Sequence, residues 1–244
     1  MTPRQLLDSG RLRDALQALT GEVRDNPGDS KRRTFLFELL CFAGEFDRAE
    51  KHLDVLARES QSASLGTLLY RTALHAERLR AEKFAKKEYP VSPETAVPKR
   101  PMSGTLNGAP FQSFADADAR IGNSLEVFAA GSYLWIPFEH IESIQVEAPR
   151  RLRDLLWAPA IVRTGPAFRE RELGELFLPV LSPFTWKHAD DSVRLGRETV
   201  WENDDTGEAV PSGQKLFLVD DGEVPVLELR SLQFDPVGEP PEKQ

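Results

Sequence analysis

Few residues in this sequence have types and spacings that could make or break a bond. Asp116 and Asp118 alternate in the run Ser113–Arg120 (SFADADAR), so on a strand both carboxylates would leave the same face. Such a pair could hold a divalent cation or divide acid and base roles, and with His140 it would form the centre of a metal-dependent hydrolase. Adjacent aspartates also occur at Asp190–Asp191 and Asp204–Asp205, and a chain with 39 acidic residues among 244 produces such pairs readily. The plainer reading is structural, with Asp118 paired to Arg120 or serving as an edge charge. His52, His75, His140 and His188 lie too far apart for metal-ligand spacing. Cys41, the single cysteine, falls on the apolar side of a predicted helix, where a thiol behaves as a small hydrophobe. A glycine-rich phosphate loop, a GxSxG elbow and an HExxH pair are all missing from the sequence. The leading expectation is therefore a chain that is not an enzyme, with no cofactor and no metal.

The elements that would carry these residues follow from composition. Hydrophobic residues make up 40% of the chain and charged residues 29%, a globular balance. A net charge of −8 disfavours nucleic acid or an anionic membrane as partner. The longest apolar run falls short of the roughly 18 residues that a membrane span needs, and the N-terminus is too charged for an export signal. A cytoplasmic location is expected. Residues 1–86 carry 15 Lys/Arg and 13 Asp/Glu, whereas the remainder carries 16 and 26; only 2 of the 18 prolines precede residue 87. Because proline breaks helix interiors and is tolerated in turns and edge strands, an α+β organisation is expected, helices first and strands after.

The helical part repeats itself. The segment from Gly10 to Leu19 aligns with Gly44 to Leu53 at an offset of 34 residues, matching Leu12 with Phe46, Ala15 with Ala49 and Leu19 with Leu53. A 34-residue period with a turn glycine, a small residue five positions on and a closing Pro27 is similar to the tetratricopeptide (TPR) repeat. The alanines let antiparallel helices approach, and the glycines free the turns between them. A longer helix is expected from about Ser64 to Lys86, docked on the second domain, with Leu65, Leu68, Leu69, Thr72, Ala76 and Leu79 facing inward.

The expected divisions are thus a TPR-like helical domain at 1–86, a proline-rich linker at 87–110, a strand-rich domain at 111–236 and a flexible tail at 237–244. Leu125–Ala129 and Tyr133–Pro137 flank Ala130-Gly131-Ser132 and read as a hairpin. Further strands are expected at Ala160–Thr164, Gly174–Pro179, Lys215–Val219 and Val224–Arg230, with a turn at Asp220-Asp221-Gly222 and a helical turn between Arg150 and Trp157. All four tryptophans fall in this half, as a bulky core would require.

Basic residues cluster at Lys31-Arg32-Arg33 and again at Arg71, Arg78, Arg80, Lys83, Lys86 and Lys87. A solvated helix face is the ordinary explanation; a docking surface for an acidic or amphipathic peptide is the functional one. In the 34-residue register, the inner face of the second repeat presents Lys31, Thr34, Glu38 and Phe42, continued by Leu65, Leu68, Thr72 and His75. With Arg32 and Arg33, these are the candidate protein-binding residues.

Three blocks in order carry a family resemblance: Phe114 to Glu126 with the pattern DADxRxG, Gly131 to Ile141 with YxWxPF, and Pro149 to Ala160 with LRDLxWxPA, followed by Leu227–Arg230. With the helical N-terminus they resemble the ImpE/TagJ family of SciE-type virulence proteins, encoded in type VI secretion clusters. The chain departs from that pattern in a short proline-rich stretch where further helices are expected, and in Phe114 and Asn123 where tryptophan and proline are expected. The resemblance implies a non-enzymatic accessory protein. Its implied partners are a helical segment of the small sheath subunit and the AAA+ ATPase that recycles the sheath. It implies no catalytic residues; Arg153 and Asp154 read as an ion pair, Trp135 and Trp157 as core, and Pro137 and Pro159 as strand ends. A purely structural, self-assembling subunit is the remaining alternative to the hydrolase.

Overall fold

Helices precede strands, as the proline distribution requires. The computed structural model describes residues 1–58, 61–90, 102–165 and 172–236. The helices are α1 (Pro3–Asp8), α2 (Leu12–Asp25), α3 (Ser30–Phe42), α4 (Phe46–Ala57) and α5 (Gln61–Ala85). The strands β1 (Gly104–Leu106), β2 (Ala109–Phe111), β3 (Phe114–Asp116), β4 (Ser124–Ala129), β5 (Ser132–Pro137) and β6 (Ile141–Val146) follow. A 3-10 turn at Leu152–Leu155 leads to β7 (Trp157–Thr164) and β8 (Glu172–Pro179), then α6 (Asp191–Arg194), β9 (Thr199–Asn203), β10 (Ala209–Gly213), β11 (Leu216–Val219), β12 (Gly222–Pro225) and β13 (Ser231–Phe234).

The 34-residue period corresponds to two helical hairpins, α1–α2 and α3–α4. Gly10 and Gly44 take left-handed φ angles of +80° and +71° at the two turns, a conformation that costs other residues strain. Ala15 and Ala49 are buried at the helix contacts, and the stripes Leu12, Ala15, Leu19, Val23 and Ala49, Leu53, Leu56 turn inward as their spacing demands. Every residue of α3 from Leu36 to Phe42 is buried, so α3 is the central helix, packed all round.

All pairings in the sheets are antiparallel. Eight strands run in the order β2-β1-β13-β6-β7-β8-β4-β5; β12-β11-β3 form a second sheet and β10-β9 a ribbon. The β4–β5 hairpin turns through Ala130 (φ +49°) and Gly131 (φ +85°), as the sequence implied. The strand alternation divides the large sheet into two faces. Phe128, Tyr133, Trp157 and Phe177 join the core shared with the helices; Leu125, Val127, Val162 and Leu178 join a second core on the other face.

Several local expectations need correction. Strands β1 and β2 lie within 87–110, so residues 104–106 and 109–111 belong to the sheet; residues 91–101 and 237–244 lie outside those described. Pro159 is inside β7 and does not end it. It lies beyond the end of β6, whose pairing with β7 starts at Val146–Ala160, so its missing N–H disrupts no ladder on that side. Trp157 is buried, Trp135 is half-buried and Trp201 is 41% exposed, so the tryptophans do not form one core.

Helix α5 is rotated from its expected face. Ala73, Ala76, Glu77, Arg80 and Phe84 point inward and Leu68 points outward, because the sheet beneath α5 offers partners for the charged residues; Leu69 shares the stripe of Ala73, Ala76 and Arg80 yet is 40% exposed.

The two halves also meet at the α3–α4 turn, where Phe46 packs edge-on to Trp186 at 5.0 Å. A β-carbon added at Gly44 would fall 2.1 Å from Cδ1 of Trp186 and would sit on a positive φ. Gly44→Ala is expected to lower stability by about 2–4 kcal/mol, measured by urea unfolding.

Candidate functional site

Between the first half of α5 and the sheet lies an open cleft of about 410 Å³. Leu68, Leu69, Thr72 and Ala73 of α5 form one wall; Phe128, the Ala130–Gly131 turn, Leu176 and Phe177 form the other. The walls converge at the hairpin turn, where a β-carbon on Gly131 would stand 3.7 Å from the Thr72 side chain. Leu68 and Leu69 are 55% and 40% exposed, large apolar surface that one molecule of this chain leaves in water.

A charged network one to four turns along α5 holds that wall in place. Arg80 is 1% exposed and makes a two-pronged contact to Glu126 on β4, Nε to Oε1 at 2.8 Å and Nη2 to Oε2 at 2.9 Å. Its Nη1 donates to the carbonyl of Leu181 at 2.9 Å and to Glu77 at 3.3 Å. Lys215 Nζ bridges Glu126 at 2.5 Å and Asp116 at 2.6 Å. The Tyr133 hydroxyl also donates to Glu126, and Trp135 Nε1 donates to that hydroxyl at 2.6 Å. Trp157 Nε1 donates to Glu77 at 3.2 Å. Burial pushes the Glu126 pKa up, but Arg80, Lys215 and their hydrogen bonds outweigh it and hold it down to about 2.

Residues 108–233 match the model of the family described as ImpE protein, and residues 6–69 match a tetratricopeptide repeat. The chain belongs to the ImpE family. It is 37% identical to the type VI secretion system accessory component TagJ of Pseudomonas aeruginosa, an alignment covering 97% of this chain and 92% of that one. In fold it resembles a crystal structure of a Vibrio parahaemolyticus protein, with a TM-score of 0.82 at 23% identity over 96% and 97% of the two chains.

The hydrolase reading loses its ligands. Asp116 is taken by Lys215, and Asp118 by Arg120, whose Nε and Nη2 donate to it at 2.8 and 2.6 Å. Among the described residues, no group of three or more His, Cys, Asp or Glu side chains could hold a metal ion. The Asp118–Arg120 pair expected from sequence is thus present, as is the Arg153–Asp154 pair at 3.4 Å.

The candidate binding residues do not form one surface. Phe42 is 1% exposed within the helical core, and Glu38 and Arg33 are buried too, so none of the three faces a groove. Arg33 is spent on the carbonyl of Pro27 and on Nδ1 of His52, and Arg32 on Glu22 and Asp29. The cause is α3's central position: a helix packed all round has no free inner face. Thr34 is half-buried, its hydroxyl bonded to the carbonyl of Ser30, while Lys31 and His75 are exposed. The Leu65 side chain lies outside those described. Leu68 and Thr72 alone among the candidates line the cleft.

The second basic patch is a solvated face only in part: Lys86 and Lys87 are exposed, but most of its cations are already paired. Arg71 pairs with Asp54, Arg78 with Asp47 and Glu50, and Lys86 with Glu82; Lys83 sits 5.1 Å from the Trp135 ring. Arg80, within the expected basic face, is instead fully buried. Its signal was its position, four residues beyond Ala76 and four before Phe84, inside the apolar stripe.

Removing one partner from a buried ion pair strands the other. Arg80→Met is expected to cost about 3–5 kcal/mol, read from urea unfolding at neutral pH. The contribution of Glu126 is full above its unfolded value near pH 4.5 and is lost as pH falls towards 2. Glu126→Gln should therefore be strongly destabilised at pH 6 and much closer to wild type at pH 2 in the same measurement.

Proposed function

We propose that this chain is a non-enzymatic adaptor of a type VI secretion system. It holds a helix of the small sheath subunit in the cleft between α5 and the β4–β5 turn, in the cytoplasm, and serves the AAA+ ATPase that recycles the sheath. The observation that carries this reading is the cleft itself, an apolar opening between the first half of α5 and the β4–β5 turn that leaves Leu68 and Leu69 exposed. Family membership and the name of the Pseudomonas relative support the secretion-system role. No described helix is long and apolar enough to cross a membrane, in keeping with a partner reached from solution.

The energetics favour an amphipathic helix as occupant. Burying a leucine side chain yields about 1.5–3 kcal/mol, so Leu68 and Leu69 together could supply much of a micromolar affinity. The basic residues nearby on α5 are already paired with Asp54, Asp47 and Glu50, which leaves apolar contact as the main source of binding energy. The occupant would lay residues at i, i+3, i+4 and i+7 against the cleft.

Calorimetry with a peptide spanning the N-terminal helix of the cognate small sheath subunit tests this. Leu68→Asp and Leu69→Asp, both at exposed positions that leave the core intact, are expected to weaken binding about tenfold or more each. Lys31→Glu is expected to leave it unchanged. Undiminished affinity in both leucine variants would remove the cleft as the binding surface.

A further inference from the structure

Two clusters of charged side chains close the seam between helices and strands, and each contains one carboxylate more than it has cations. In the first, Glu77, Asp116 and Glu126 face Arg80 and Lys215, while the adjoining Asp118 is matched by Arg120. Glu126 collects two donors from Arg80, one from Lys215 and one from Tyr133. Asp116 is left with Lys215 Nζ and the backbone N–H of Asp118; Glu77 has one guanidinium nitrogen of Arg80 at 3.3 Å and the indole of Trp157.

The second cluster lies where α3 meets the 3-10 turn before β7. Glu38 is buried beside Arg153, feeling its charge and accepting its backbone N–H, while Asp154 stands 3.4 Å from the Arg153 guanidinium. Asp154 is already satisfied by the backbone N–H groups of Arg150 and Arg151, each at 2.9 Å, and Arg153 stacks 4.9 Å from the Tyr70 ring of α5. The other titratable neighbours are Cys41 of α3, Arg4 of α1, which pairs with Asp8, and Arg151 near Tyr70. Leaving an unmatched charge in a closed interior costs more than binding a proton, so each cluster favours one neutral carboxyl.

We propose that the seam stores one proton in each cluster and that their release as the pH rises to neutrality loosens the helical half from the strand half. Burial acts the same way at both places. It pushes Glu38 up to about 7 against the pull of Arg153, pushes Asp116 up to about 7 against Lys215, and raises Glu77. A carboxyl raised in the folded state keeps its proton between its unfolded value, near 4, and 7. Folded and docked forms then bind more protons than separated ones. Seam cohesion is therefore greatest at the acid end of that window, falls as pH approaches 7 and is level above it. Glu126 is ionised in the folded state throughout and adds no slope above its unfolded value near 4.5. The device is independent of which partner fills the cleft.

Amide hydrogen exchange on the full chain tests it, expressed as protection factors so that intrinsic pH effects cancel. Protection in the peptides covering 36–42 and 152–156 is expected to fall about tenfold or more from pH 5.5 to 8, while that in β6 stays constant. The neutral double variant Glu38→Gln/Asp116→Asn should hold its acid-side protection at pH 8. Equal protection in the wild type at both pH values, or an undiminished fall in the variant, overturns the proposal. Should the variant not fold, carbon-13 titration of the wild-type carboxyls decides: Glu38 and Asp116 midpoints near 7 uphold the proposal, and midpoints below 5 defeat it.

Discussion

An arginine withdrawn from water must find a partner for nearly every N–H it carries, and Arg80 finds them on the far side of a domain boundary. Its two-pronged contact with Glu126 fixes α5 both in rotation and in height over β4, because a fork of parallel hydrogen bonds tolerates little displacement. Much else follows from that placement. With Arg80 and Glu77 turned inward, Leu68, on the opposite side of the helix from Glu77, is turned out, while Leu69, on Arg80's side about three turns earlier, is left partly open. Leu69 and Ala73 lie on the same side of α5 as Arg80, and where the helix runs past the β4–β5 turn that side borders the open cleft.

Charges inside a core do not by themselves make a protein more stable, since desolvation offsets most of their attraction. What such a network gives is specificity. Apolar side chains on α5 could slide or rotate over an apolar sheet at modest cost, whereas Arg80, Lys215, Asp116 and Glu126 satisfy one another in one arrangement. The aromatic hydroxyl and indole groups of Tyr133, Trp135 and Trp157 complete that arrangement while filling the volume between the halves. A two-part fold held in this way sets the edge of a helix and the turn of a hairpin side by side.

The legible parts of this structure were those governed by neighbours in sequence. The 34-residue period, the glycine turns at Gly10 and Gly44, the β4–β5 hairpin and the Asp118–Arg120 pair all depend on contacts a few residues apart or on backbone conformations that few residue types accept. The DADxRxG and YxWxPF blocks were visible for the same reason, and they pointed to the family to which the chain belongs. The candidate binding residues fared worse. Phe42, Glu38 and Arg33 share a helical face in the repeat register, but whether that face is a groove depends on what covers it. Here α3 is covered on every side.

The sequence by itself determined the division into helices and strands, the repeat and the absence of recognisable catalytic motifs, because periodicity, turn chemistry and motif spacing are local properties. Only the tertiary structure decided that Arg80, outwardly one of a row of basic residues on a helix, is the most buried of them, and that Asp116 serves Lys215 rather than a metal. These outcomes join residues 46 and 99 positions apart. A charge can be taken into a protein interior only where an opposite charge waits for it, and that depends on how the two halves of the chain are packed.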